Sequence, residues 1–351
     1  MNKKRFIIYG IVLVVLALLI YLQFRTLRNF DWATFLSQTD QVRKHKLDIV
    51  SAIALIYFTY FLRALRWKIF LRPVRKNASF LKLTPPTIIG FSGLALLGRP
   101  GELIRPYLIA RGEGLSFSSQ MATWAVERIF DIGAFTVLLV LAVFLPGTAL
   151  HSVPKYSGIK IFGFLFLALA TGVSLAAILI AKYGEGVSVW VERRFSHLAA
   201  NLGARIAQRL REFHRGLDTI HNLRALFEIS AVSLVMWGCI ALSYLEVVRA
   251  YGSHLEQMTI SKILPLMGSS MVGSLIQLPG VGGGSQLATI STLQRVYDVP
   301  RELAASCGIL LWLVTFMSVI PLGLFLAHRQ RLSLRELSQE SQQAETDDEH
   351  R

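Results

Sequence analysis

Six stretches of this chain are apolar enough and long enough to cross a bilayer, and that removes most folds from consideration. They run over residues 6–22, 48–71, 117–145, 160–180, 226–248 and 303–327. A helix needs about 20 mainly apolar residues to cross roughly 30 Å of hydrocarbon. Inside lipid only helices and closed barrels satisfy their own backbone groups. Runs this long, in a chain of 351 residues that is 53% apolar, give the expected fold class: an all-α integral membrane protein, a polytopic helical bundle. Asn2-Lys3-Lys4-Arg5 precedes the first run, and Gln23-Phe24-Arg25 follows it with no small-x-small cleavage site. The first run therefore reads as a retained span with its N-terminus inside.

Two further apolar stretches cannot finish as helices. The first, Gly90–Pro106, reads GFSGLALLGRPGELIRP. Gly98, Pro100 and Gly101 interrupt it, and Arg99, Glu102 and Arg105 add three charges. An ionisable group at the centre of a lipid-facing helix costs about 2.5–3.5 kcal/mol, so such groups face a bundle interior, a cavity or one another. Broken backbone at membrane depth also needs protein cover or water. The stretch reads as part of a polar site; the plainer alternative is a cytoplasmic loop just beyond an ordinary helix. The second, Ile263–Ile290, has Gly268 and Gly273 and then Pro279-Gly280-Val281-Gly282-Gly283-Gly284. Within a helix glycine costs about 1 kcal/mol and proline about 3 against alanine, so no unbroken helix crosses that run. It also lacks the G-x-G-x-x-G register of a dinucleotide site.

Taken in halves of about 1–150 and 155–328, the chain reads span, span, broken segment, span, twice over. If the broken segments re-enter, there are six crossings and the second half is inverted relative to the first. If they cross, there are eight and no inversion. Paired Gly/Pro-interrupted hydrophobic segments at matching positions point to a transporter's substrate site.

The net charge of +15 reads first as topology, since Lys and Arg gather on the cytoplasmic side. This puts 72–84, 183–225 and both termini inside, and 146–158 and 251–262 outside. The mixed-charge loop 24–47 fits that scheme poorly. The charge reads second as attraction to anionic headgroups. Nucleic acid is not expected as a partner, because no soluble module is long enough to carry a basic groove. Residues 188–222 space apolar side chains three and four apart between arginines, the pattern of a basic amphipathic cytoplasmic helix. Residues 329–351 are polar and rich in acids, and are expected as a disordered tail.

The candidate site residues come from three places. Arg99, Glu102 and Arg105 lie in the first broken segment. Glu127, Arg128 and Asp131 follow in the first turns of the 117–145 helix, with the two acids four apart on one face. The second segment supplies the backbone of Gly280, Gly282 and Gly283, and Gln286. If the segments meet near the midplane, the helix start at Gly98-Arg99-Pro100, with Arg99, suits a phosphate. The acids would then order the arginines or couple transport to protons. The alternative for each pair is a structural salt bridge. Arg63 and Arg66, three apart and so on one face near the end of their span, read first as snorkelling to the interface, with a site role as the alternative.

No catalytic set stands out. The histidines are scattered, and no H-E-x-x-H, G-x-S-x-G or Walker loop is present. Cys239 and Cys307 sit in apolar runs without a CxxC neighbour and read as core residues. No enzyme activity, metal or cofactor is expected.

Gly98-Arg99-Pro100-Gly101-Glu102-Leu103-Ile104-Arg105, Glu127-Arg128-x-x-Asp131 and Leu278-Pro279-Gly280-Val281-Gly282-Gly283 together carry a resemblance. Over about residues 5–328 the chain resembles the flippase-like transmembrane domain of lysylphosphatidylglycerol synthases, as a stand-alone member without the soluble aminoacyl-transfer domain. The resemblance implies a multi-pass protein of a bacterial or archaeal cytoplasmic membrane that moves a lipid between leaflets. The partners implied are membrane lipids, either an anionic phospholipid or a polyprenyl-linked glycolipid. A glycosyltransferase or lipid-synthesis enzyme would be a fitting protein partner, and glycines within spans permit a homo-oligomer. Lysyl transfer is not expected. Two positions depart from the family pattern: Leu97 and Gly98 replace a usual proline, and Gln286 sits near a usual glutamate, which removes one candidate acid. The alternatives are a secondary transporter of a small anionic solute and a membrane scaffold or accessory protein of envelope lipid synthesis.

Overall fold

Asp31 opens α1 (Trp32–Lys44), the first helix among the described residues. Its carboxylate accepts the Ala33 and Thr34 N–H groups at 3.0 and 3.1 Å and the Thr34 hydroxyl at 2.6 Å, an N-cap of the ordinary kind. Most of the stretch expected as a mixed-charge loop is thus helical; sparse apolar residues hid it. The computed structural model describes residues 31–145, 148, 150, 153, 155–195, 223–275, 277–278, 282–330, 332 and 337–344. The span expected at 6–22 lies outside the described residues. So does most of the amphipathic stretch 188–222, whose first residues continue a longer helix.

The α2 helix (Lys46–Leu71) matches the second apolar run. After it α3 (Phe80–Leu97) ends at Gly98, whose φ of 71° reverses the chain at little cost to glycine. A 3-10 turn (Arg99–Leu103) leads into α4 (Ile104–Glu113). The pair forms a helical hairpin: Gly90 lies against Arg105, and Gly93 against Gly101 and Ile104. Then α5 (Phe117–Phe144) stops just before Pro146. The α6 helix (Tyr156–Phe195) runs well beyond the 160–180 span.

In the second half α7 (Leu223–Arg249) is followed by a short turn of helix, α8 (Ser253–Glu256), and α9 (Ile260–Gly273). The chain reverses through a two-residue antiparallel pair, β1 (Gln277–Leu278) and β2 (Gly282–Gly283), into α10 (Gly284–Val296). At 1.5 Å per residue, α9 and α10 are only about 20 Å long, too short for either to cross a bilayer core alone. The last run is α11 (Arg301–Trp312), a π-helical turn (Leu313–Met317) and α12 (Ile320–Arg329).

The protein is an all-α polytopic membrane protein. Among the described residues, five helices are long and apolar enough to cross: Lys46–Leu71, Phe80–Leu97, Tyr156–Val173, Leu223–Arg249 and Arg301–Arg329. At 28 residues α5 matches them in length but carries the charges described below.

Each hairpin is preceded and followed by a longer helical stretch, α2 and α5 for the first, α7 and α11–α12 for the second, and the packing is reciprocal. The helices that precede the two hairpins, α2 and α7, make the most extensive contact among the described residues. The hairpin helix α3 packs on α12 from the other half, and α9 packs on α5 in return. At the first of these contacts Ser92 Oγ donates to the Val319 carbonyl at 3.0 Å. Phe135, Met267, Val319 and Ile88 belong to one core that joins both halves.

The tail expected to be disordered is only partly described, and that part is not free chain. Residues 337–344 are helical. Leu337 is 2% exposed, in a cluster with Ile89, Ile104, Leu108 and Ala327. Tyr107 donates its hydroxyl to Glu340 at 2.8 Å. One well-placed leucine anchors a segment whose average composition is polar.

Candidate functional site

Residues from four elements converge on a buried charge cluster. Glu127 on α5 is its hub and is fully buried. It accepts Arg66 Nη2 at 2.6 Å and Arg105 Nη1 at 3.2 Å, and its Oε2 also pairs with Arg105 Nη2 and, at 3.2 Å, with Arg128. One turn on, Asp131 accepts Arg66 Nη1 at 2.7 Å and Trp237 Nε1 at 3.3 Å. Its other oxygen lies 3.2 Å from Arg128 and 3.8 Å from Arg63. Arg66 Nη1 also donates to Ser233 Oγ at 2.8 Å, which brings in α7.

Aromatic rings line the same cluster. The Arg105 guanidinium lies 4.4 Å over the Trp67 ring and 5.2 Å over Phe91, and Arg63 lies 4.6 Å over Phe91. Cation–π contacts gain strength when desolvated. Trp67 is in turn fixed by its Nε1 donating to Gln120 Oε1 at 3.0 Å.

Four guanidinium groups therefore face two carboxylates, an excess of two positive charges in a helical core. Arg63 Nε and Nη1, Arg66 Nε and Arg128 Nε are buried without a hydrogen-bond acceptor among the described residues, and Asp131 Oδ2 is buried without a hydrogen-bond donor. Isolated buried charges are costly, and pairing offsets the cost only where donors and acceptors are matched. Here the positive side is in surplus, by one charge once the nearby Glu102 carboxylate is counted.

A narrow pocket of about 40 Å³ opens beside the cluster, lined by Gly90, Phe91, Leu94, Glu102, Arg105, Trp124 and Arg128. It has room for little more than water. Glu102 lines it and makes no hydrogen bond or ion pair among the described residues, although its charge acts on Arg128.

The predicted residues thus separate. Arg105, Glu127, Arg128 and Asp131 meet in the cluster, and Glu102 borders its pocket. Arg99 does not join them: it is exposed, and its Nη2 donates to the Leu275 carbonyl at 2.8 Å. That bond joins the tips of the two hairpins, so the broken segments do meet. Gln286 and Gly283 are at the second tip, where the Gly283 N–H donates to Gln286 Oε1 at 3.4 Å. Gly282 pairs with Leu278 in the tip ladder, and Gly280 lies outside the described residues.

For two residues the structure favours the second of the two readings open from sequence. Arg63 and Arg66 do not snorkel to the interface; they point into the bundle, and Arg66 is fully buried. Arg66 lies only five residues before the end of α2, within reach of a headgroup, so length alone favoured snorkelling. The carboxylates of α5, one turn apart, override that. The usable signal was the matched spacing: arginines three apart on one helix, acids four apart on another. Trp237 and Ser233 carried no signal of their own.

The match to known proteins follows the same outline. The model of the family described as the lysylphosphatidylglycerol synthase TM region matches residues 7–323. A UPF0104 membrane protein of Methanothermobacter thermautotrophicus is 25% identical over 340 residues, covering 92% of each chain. Another, of Pyrococcus horikoshii, is 24% identical over 296 residues, 81% of this chain and 87% of that one. No solved structure matches. With nearly the whole bundle covered by one family model, the chain belongs to the lysylphosphatidylglycerol synthase transmembrane-region family.

Proposed function

We propose that this protein is a flippase-like lipid translocase. It would move a phospholipid or a lipid-linked sugar between the leaflets of a cytoplasmic membrane, with both termini inside and no covalent chemistry. The observation that carries this is the surplus of buried positive charge beside a pocket between Phe91, Glu102, Arg105 and Arg128. An anionic headgroup would complete the cluster, while its acyl chains remain in lipid. The two hairpins are read as re-entrant segments, each entering from its own side, with the Arg99–Leu275 bond closing the path between their tips. A headgroup is far larger than 40 Å³, so passage requires the tips to part. The pocket's size also favours a second reading, a carrier for a small anionic solute, which would need less opening. A glycosyltransferase or lipid-synthesis enzyme would supply or use the lipid.

A reversible lock tests the hairpin step. Arg99→Cys and Leu275→Cys, in a background with Cys239 and Cys307 replaced by alanine, are joined by a reducible bifunctional crosslinker in reconstituted vesicles. Leaflet exchange of a fluorescent anionic phospholipid should stop on crosslinking and return on reduction. Exchange that continues at the same rate with the tips joined contradicts the proposal.

A further inference from the structure

A second and larger cavity lies away from the charge cluster, and the translocase reading does not account for it. It holds about 370 Å³ and is lined by Val74, Arg75, Lys76, Asn77, Ser79, Lys82 and Glu113. Its wall is the connection between α2 and α3, closed on one side by the last residue of α4. This is the volume range of small-ligand sites, roughly ninefold the central pocket.

The connection is built, not loose. The Arg75 N–H donates to the Leu71 carbonyl at 2.7 Å and the Ala78 N–H to the Arg75 carbonyl at 3.2 Å. Ala78 is buried among Trp67, Leu71, Leu83 and Ile109. Glu113, 9% exposed, lies 3.5 Å from Arg75 Nε, and both side chains line the cavity. Lys76 and Lys82 have no carboxylate partner among the described residues, so the lining keeps two net positive charges. Asn77 and Ser79 add neutral polar groups, and the Ser79 side chain does not cap α3.

We propose that this cavity is an interfacial binding site for the phosphate of an anionic lipid headgroup. Ligand chemistry follows from the lining: three cations against the one carboxylate of Glu113, with two neutral polar groups, suit a phosphate oxygen set, and Arg75, held through Nε by Glu113, keeps its two Nη groups for it. Lipid is the favoured source over free phosphate because of where the cavity sits. It begins three residues after Leu71, the end of a helix long and apolar enough to cross a membrane, which would set it at headgroup depth. Val74 at its edge is 65% exposed and Leu81 beside Lys82 is 75% exposed, apolar groups placed to enter the acyl boundary. Basic pockets between helices at a membrane face bind doubly charged headgroups in this way. The site stands apart from translocation, since no residue of the charge cluster lines it.

The test uses the full chain in detergent, titrated separately with short-chain phosphatidic acid, phosphatidylcholine and inorganic phosphate, and followed by thermal unfolding and native mass spectrometry. Wild type should bind phosphatidic acid and gain stability, with little response to the other two. Lys76→Gln/Lys82→Gln should keep the ligand-free unfolding temperature and weaken phosphatidic acid binding by about tenfold or more, as expected for two cations at a headgroup. Arg43→Gln/Lys44→Gln, equal in charge but on α1, should bind as wild type does. The proposal is overturned if Lys76→Gln/Lys82→Gln binds normally, or if the α1 variant loses as much. Equal stabilisation by inorganic phosphate would overturn the lipid assignment.

Discussion

Replacing Glu127 by glutamine is expected to destabilise the protein by about 3–5 kcal/mol, the usual penalty for removing one partner of a buried ion pair. The change is nearly isosteric, so packing does not account for it. What is lost is the charge that Arg66, Arg105 and Arg128 share. Arg66 keeps Asp131 at 2.7 Å, whereas Arg105 keeps no carboxylate among the described residues. Adding Arg105→Met should therefore recover part of the loss, because an apolar side chain of similar length removes the stranded charge. Unfolding in detergent, followed by tryptophan fluorescence for the single and double variants, checks both. A Glu127→Gln protein as stable as wild type would mean that the cluster does not hold the bundle together.

The second large effect is expected at Gly101. A methyl group there would stand 2.2 Å from the Gly93 carbonyl oxygen and 2.3 Å from its carbon. These are backbone atoms of the facing hairpin helix and cannot rotate away, so α3 and the 3-10 turn must separate. Overpacking of this kind costs about 1–3 kcal/mol or more, and here it falls on the loop that presents Glu102 and Arg105. Hydrogen exchange should rise across 90–105 in Gly101→Ala, and lipid movement should fall with it. Gly133→Ala is the internal comparison. Nothing lies within 4 Å of a methyl group at that position of α5, and alanine there should stabilise by about 0.5–1 kcal/mol. If both alanine variants behave alike, the close hairpin contact is not a constraint.

Much of this architecture was legible because lipid limits what apolar runs can become. Three spans, 48–71, 117–145 and 226–248, emerge as helices with ends within a few residues of expectation. The two breaks were readable from Gly98-Arg99-Pro100-Gly101 and Pro279–Gly284, since those residues cannot continue a helix. In both places the chain turns back on itself as a helical hairpin, α3 with α4 and α9 with α10. What stayed hidden depended on distant partners. The destination of Arg66 is set by acids 61 and 65 positions away. Arg99 bonds a carbonyl 176 residues away, and sequence does not say that Leu275 leaves an acceptor free. The π-helical turn at Leu313–Met317 and the α1 cap at Asp31 are local, but neither has a strong apolar period to announce it.

The most direct test of translocation is leaflet exchange by the purified protein in vesicles, with headgroup charge as the variable. Fluorescent phosphatidylglycerol, phosphatidylcholine and a polyprenyl phosphate are placed in both leaflets, and an impermeant quencher reads how much becomes accessible. The same vesicles are assayed for uptake of a small anionic solute. Wild type should carry at least one anionic lipid past the outer-leaflet fraction, faster than phosphatidylcholine, and Arg105→Gln that remains folded should lose that advantage. Folded wild type that exchanges none of these lipids yet takes up the small anion would contradict the lipid reading and put the solute carrier in its place.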